Sequence, residues 1–370
     1  MAWNTPMTFI DLMSLEALNS EPGDEKFMSV KPSFCPDGGF GSAFGGHVYA
    51  QAVWAAAQTV GEGMVVHNVH GFFTLPGLTD RPYVYEVTHL SEGKSYCTRN
   101  VYVRQPVAPS PPARSSSSER RFEIEEGKKV LGKICFSCIC SFKRDEKETF
   151  QGHQGVSAQE RWKEILGKRD GGSWDIAPGV DAPWYTRQAS NTPLSQLPVF
   201  PGLDIRKVDM TAHNTSDPLN YRTLSLYRPF GTLPVSQPNL HACAHLYASD
   251  KNSLFLVSNA LGFGDHVGTM GSLSHSVVFH VRIEELLFQE ERTKGGEKGE
   301  WCIQEASTSR SGQGRGMHES KIWNSRGVHV ASTWQEGLVR KADRIENEKQ
   351  RLLWEEGMRR GGILGGKGKL

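Results

Sequence analysis

The chain has 370 residues, with 42 Lys and Arg against 41 Asp and Glu, a formal charge of +1. A balance this close excludes the basic excess of a dedicated nucleic-acid binder, and 38% hydrophobic with 22% charged residues is the composition of a globular chain with a sizeable core. No run of about 18 apolar residues occurs, so no membrane span is expected, and the acidic stretch MAWNTPMTFIDLMSLEALNSEPGDEKF has the pattern of neither a secretory signal nor a mitochondrial presequence.

The first periodic block is HVYAQAVWAAAQTV, residues 47–60, behind a glycine-rich stretch over 38–46. Its alanines favour helix. Few of its positions are polar, which predicts a helix buried nearly all round, stopped by Gly61-Glu62-Gly63. Four β-branched and aromatic runs follow, at 64–75, 82–90, 95–105 and 129–142, bounded by turn signals such as Pro76-Gly77 and Glu92-Gly93-Lys94. One buried helix followed by antiparallel strands predicts an α+β unit in which the sheet wraps the helix. Residues 106–121, PVAPSPPARSSSSERR, read as a disordered insert between two strands. The order then repeats. Residues 239–261 read as helix with a break near Ser249-Asp250, and strands are predicted over 271–283, 301–310, 314–324 and 327–340. Element order, rather than residue identity, argues for an internal duplication. The expected organisation is an N-terminal module over 1–149, an interdomain connection over 150–200, a C-terminal module over 201–342 and a charged tail over 343–370, with residues 341–360 as a helix candidate.

Several chemistries lack their motifs. There is no Gly-x-Ser-x-Gly elbow and no Walker loop, and residues 39–44 put Phe44 where a dinucleotide fingerprint needs its third glycine. The seven cysteines follow no secretory signal, so reduced thiols are expected. Cys135-Phe136-Ser137-Cys138-Ile139-Cys140 lacks the second pair or histidine cluster of a metal site. In a strand Cys138 and Cys140 share one face and Cys135 the other, and all three read as small core residues. The pairs His67/His70 and His275/His280 are expected to hydrogen-bond at strand ends. No metal ligand set and no cofactor are expected.

Three segments of the first half, FGGHVYAQAVWAAAQ (44–58), VHNVHGFFTLPG (66–77) and YCTRNVYVRQ (96–105), together with HLYASD (245–250), GSLSHSVVFH (271–280) and GVHVASTWQEGLVR (327–340) of the second, resemble the type II acyl-CoA thioesterase family. The resemblance spans residues 30–340 with gaps in the middle. It implies a double hotdog fold, two tandem modules each with a long helix wrapped by an antiparallel sheet. It also implies hydrolysis of fatty acyl-CoA to free fatty acid and CoA, without a cofactor, by a self-associating protein. The catalytic residues it implies lie in the second module. They are Asp250, closing HLYASD, Gln335 of ASTWQEG, and a hydroxyl that falls on Ser272, where the family often has Thr, with Ser274 and Thr269 as neighbouring candidates. In the first module the last strand carries cysteines where a matching Gln would fall, so that module is expected to be structural or to shape the acyl tunnel. Gly45 and Gly46 allow close backbone approach and are candidate substrate contacts. Arg315 is a candidate for the phosphates of CoA.

These residue types suit thioester hydrolysis. A carboxylate within hydrogen-bond reach accepts the proton of an attacking water. A neutral amide and a hydroxyl hold that water without changing the charge of the site, and free N–H groups at a helix N-terminus can bind the oxyanion. Direct attack by Asp250 through an anhydride is the alternative route. Two other functions compete: a hotdog protein that binds acyl-CoA without turnover, and an enoyl-thioester hydratase. The Asp/Ser/Gln set speaks against the first, and the lack of a helically spaced His after Asp250 against the second. Gly368-Lys369-Leu370 has the small-basic-Leu form of a peroxisomal address, so peroxisomal residence is expected, cytoplasmic otherwise.

Overall fold

A computed structural model describes residues 6–36, 42–111, 120–150, 152–190, 199–288 and 300–342. The middle of the 106–121 insert and the charged tail, with its helix candidate and Gly368-Lys369-Leu370, lie outside the described residues.

The β-branched and aromatic runs form β1 (Leu15–Asn19), β2 (Glu25–Ser29), β3 (Met64–Phe73), β4 (Val84–Glu92), β5 (Tyr96–Pro106), β6 (Leu131–Arg144), β7 (Asp175–Ile176), β8 (Leu203–Lys207), β9 (Thr223–Pro229), β10 (Val267–Phe279), β11 (Cys302–Ser307), β12 (Ser311–Gly312), β13 (Arg315–Trp323) and β14 (His329–Lys341). They build one antiparallel sheet in the order β1-β2-β4-β5-β6-β3-β10-β14-β13-β11-β9-β8-β7, with β12 against β13. Strands β3 and β10 pair across its middle, Ser276 opposite His70. On one side of that seam the strands face a helix over Gly45–Ala57; on the other they flank a helix over Pro238–Ser249. The two helices pack against each other. Small side chains allow this approach: Ala50, Ala52, Ala55 and Ala56 on the first, Ala242, Cys243, Ala244 and Ala248 on the second, all buried.

The duplication goes deeper than element order. The β3–β6 register slips between Val66 and Asn68, and the β10–β14 register slips between Ser272 and Ser274. Both bulges fall at the same point of the pseudo-symmetric sheet, so Val66 corresponds to Ser272. By the same registers Cys140, opposite Val69, corresponds to Gln335, opposite His275.

Several expectations are adjusted. The first helix begins at Gly45, two residues before the predicted start, and ends at Ala57. The break in the second falls where it was expected, after Ser249 with Asp250 as C-cap, and Asn252, with a φ of 57°, leads into a further helix over Ser253–Ala260. The sequence reading leaves out β1, β2, β7, β8, β9 and β12, strands whose alternation is too brief to register. Part of the 150–200 connection is built into the second half: β7 pairs with β8, and Ala158 and Trp174 pack with Leu224, Ile303 and Trp323. Cys135 is buried along with Cys138 and Cys140, because the β5–β6 register slips between Phe136 and Ile134 and turns it inward. His280 does bond at a strand end, to Ser332 Oγ at 2.9 Å, but His275 lies in mid-strand and is fully buried. Among the described residues no helix is long and apolar enough to cross a membrane.

Candidate active site

Asp250 is the C-cap of the Pro238–Ser249 helix. Its carboxylate, only 5% exposed, points to where strands of the second half meet the N-terminus of the first half's helix. Gln335, fully buried on β14, donates from Nε2 to Asp250 Oδ1 at 2.6 Å and to Ser272 Oγ at 2.7 Å. Strict alternation would put Ser272 and His275 on opposite faces of β10. The bulge between Ser272 and Ser274 inserts one residue, restores both to the inner face, and so delivers the hydroxyl to Gln335. Of the neighbouring hydroxyl candidates, Ser274 pairs with Phe72 across the seam and Thr269 is exposed.

The first half completes the arrangement. The backbone N–H of Gly46 donates to the Asp250 carboxylate, placing the positive end of one helix dipole on an anion that sits at the negative end of another. A Cβ at Gly45 would lie 3.0 Å from Asp250 Oδ2 and 3.1 Å from the Phe73 ring, so a glycine there keeps the gap between them open. The module expected to be structural thus supplies a donor to the acid. Arg315 is not brought to this cluster. It stands on the exposed face of β13, paired with Glu336 at 2.7 Å.

Burial sets the electrostatics. Desolvation pushes Asp250 up to about 6, against hydrogen bonds from Gln335, Gly46 and Ser253 and the charge of Lys251. Burial pushes Lys251 down to about 7, opposed by Asp181 and Asp250. Its Nζ donates to the carbonyls of Pro178 and Gly179 at 2.7 and 2.8 Å, tying the connecting segment over this end of the helix. Behind Asp250 a polar cavity of about 20 Å³ is lined by Lys251, Ser253, Gln304 and His318, among others, large enough for one water. Gln335 Oε1, Tyr247 Oη and His275 Nδ1 are among the buried polar atoms that lack a hydrogen-bond partner. These three belong to residues that touch Asp250 or interact electrostatically with it.

Sequence reasoning put His275 at a strand end rather than beside Asp250, and missed Ser249 and Tyr49 around it. The bulge hides the shared face of His275 and Ser272, and Tyr49 comes from the other half of the chain. The pseudo-symmetric position in the first half holds no such cluster. Its helix C-cap is the exposed Gln58, and Asn239, at the start of the Pro238–Ser249 helix, bonds the backbone of β3, accepting from Val66 N–H at 2.8 Å and donating to Met64 O at 2.9 Å. Among the described residues no group of three or more His, Cys, Asp or Glu is placed to hold a metal ion.

Solved structures share this architecture. The acyl-CoA thioesterase II TesB2 of Mycobacterium marinum superposes with a TM-score of 0.58 at 22% identity, over 90% of this chain and 99% of that one. A hot dog fold protein from Alicyclobacillus acidocaldarius gives 0.53 at 13% identity, over 90% and 98%. The fold is therefore a tandem, double hotdog. The model of the acyl-CoA thioesterase N-terminal domain matches residues 35–114, and that of the C-terminal domain residues 202–339. The chain belongs to the type II acyl-CoA thioesterase family, a family of thioester hydrolases. Relatives include rat acyl-coenzyme A thioesterase 8, 23% identical over 332 residues and covering 90% of each chain. Acyl-CoA thioesterase 2 of Haemophilus influenzae is 22% identical over 309 residues, covering 82% of this chain and 90% of that one.

Proposed function

We propose that this protein hydrolyses fatty acyl-CoA to free fatty acid and CoA, with Asp250 as general base for an attacking water. The observation that carries this reading is the Gln335 amide bonded at once to the Asp250 carboxylate and the Ser272 hydroxyl, in a buried cluster where an acyl-CoA binder without turnover has no use for it. Water held by Ser272 and the free Oε1 of Gln335 loses a proton to Asp250, and the hydroxide oxygen attacks the thioester carbonyl. A carboxylate whose pKa lies near 6 is ionised at neutral pH yet still basic enough to take that proton. Negative charge developing on the carbonyl oxygen meets the first turn of the Gly45–Ala57 helix, where the Gly45 N–H would be the donor, beside the Gly46 N–H that is bonded to Asp250. The proton on Asp250 then passes to the leaving thiolate.

The test is thiol release from palmitoyl-CoA, followed with a thiol reagent. Wild type should turn over, and Asp250→Ala should lose about 10²–10⁴ in kcat while keeping its circular dichroism spectrum and its affinity for acyl-CoA. Binding without thiol release by the wild type would establish a carrier or sensor instead. Self-association belongs to the same reading. It is supported by Phe72, Tyr102, Ile139 and Trp334, large apolar side chains exposed on the sheet.

A further inference from the structure

Behind Asp250 lies a histidine that the Asp/Ser/Gln scheme does not use. His275 is fully buried on β10, opposite Gln335. Its ring stacks on that of Tyr49 at 4.8 Å and 23°, and Tyr49 Oη donates to the His275 carbonyl at 3.2 Å. The ring is thus clamped from the other half of the chain. Its tautomer follows from the neighbours. Ser249 Oγ gives its one proton to Leu246 O at 2.8 Å, so at 3.2 Å from His275 Nε2 it can only accept. Nε2 therefore carries the hydrogen and Nδ1 a bare lone pair. Nδ1 has no hydrogen-bond partner and lies 3.8 Å from Asp250 Oδ1. With Asp250 ionised, two acceptors face each other. With Asp250 protonated, its O–H has an acceptor waiting.

We propose that His275 is a positioning residue for the hydrolysis, its Nδ1 accepting a hydrogen bond from Asp250 in the step in which Asp250 holds the proton taken from water. This rests on Asp250 acting as the base. An O–H bond of water breaks, its oxygen bonds to the thioester carbon, and the proton goes to Asp250, whose O–H turns to Nδ1. When the carbon–sulfur bond breaks, that proton leaves for the thiolate and Nδ1 is bare again. His275 stays neutral throughout: burial, with His318 beside it, pushes it down to about 3. The other ionisable groups facing the pair are Lys251 beside Asp250, Tyr49 on the first helix and Tyr247 on the second, and Asp181, which acts on Lys251.

The experiment is the pH profile of kcat with palmitoyl-CoA in His275→Phe, His275→Asn and Ser249→Ala. Phenylalanine keeps the ring against Tyr49 and keeps water out, but removes both the repulsion of the anion and the acceptor for the acid. Its acid limb should fall by about one pH unit, with kcat down about tenfold and KM unchanged. Asparagine, which offers an amide oxygen, should recover part of the rate. Ser249→Ala, a small change that frees the tautomer so that Nδ1–H can face the carboxylate, should move the limb the same way. An acid limb that stays or rises in His275→Phe, or stays in Ser249→Ala, overturns the proposal. Asp250→Ala in the same assay separates the two readings: if that variant is active the general-base scheme fails, and if it is dead while the limbs stay put only the role of His275 fails.

Discussion

In the folded chain the Asp250 carboxyl keeps its proton up to about pH 6, against an ordinary value of 3.8. Below the lower value both folded and unfolded forms are protonated and the residue is neutral to stability. As pH rises, the unfolded chain releases the proton first, so stability falls and the full penalty, on the order of 2–3 kcal/mol, is present above pH 6. Asp250→Asn cannot ionise. It is expected to melt at a higher temperature than wild type at pH 7 to 8, with the gap closing by pH 4, as measured by calorimetry across that range. A gap independent of pH would mean the carboxylate is better solvated than its burial implies. Asp250 and Gln335 were legible in the sequence because each lies in a recognisable motif, HLYASD and ASTWQEG. Their contact across 85 residues was not, since it depends on where a helix ends relative to a strand.

At the scale of elements, the Gly45–Ala57 helix matters to the site through its first turn rather than through any side chain. A methyl group at Gly45 falls 3.0 Å from Asp250 Oδ2 and 3.1 Å from Phe73, tight enough that one neighbour must give. Gly45→Ala, which should favour helix by up to about 1 kcal/mol, is therefore expected to leave the melting temperature equal or higher while lowering kcat/KM about tenfold or more, because a 1 Å displacement of reacting groups is that damaging. Steady-state kinetics beside a thermal melt checks both halves of this expectation. The helices and the longer strands were readable from composition and alternation. The faces of Ser272, His275 and Cys135 were not, for one reason: each lies at or beside a bulge, where one extra residue reverses the side-chain parity that a sequence reading assumes.

For the whole molecule, one sheet crosses both halves at the β3–β10 seam. The sheet leaves Phe72 60%, Ile139 48%, Trp334 42% and Tyr102 41% exposed. If this face joins copies of the chain, as proposed, sedimentation will give a mass above the 41.1 kDa of one chain, and Phe72→Asp will reduce it toward that value with the fold intact. A monomer at micromolar concentration would leave the face without a partner of its own kind. The duplicated order of elements was visible in the sequence, while the pairing that makes one sheet of two was not, because His70 and Ser276 meet across 206 residues without any local signal.

Asn239, at the start of the Pro238–Ser249 helix, spans the strand backbone between Met64 and Val66, and Gln58, Val66 and Cys140 stand where symmetry would otherwise put a second Asp, Ser and Gln. On the proposed reading each polypeptide carries one reaction centre, and the other half of the chain serves it through the Gly46 N–H.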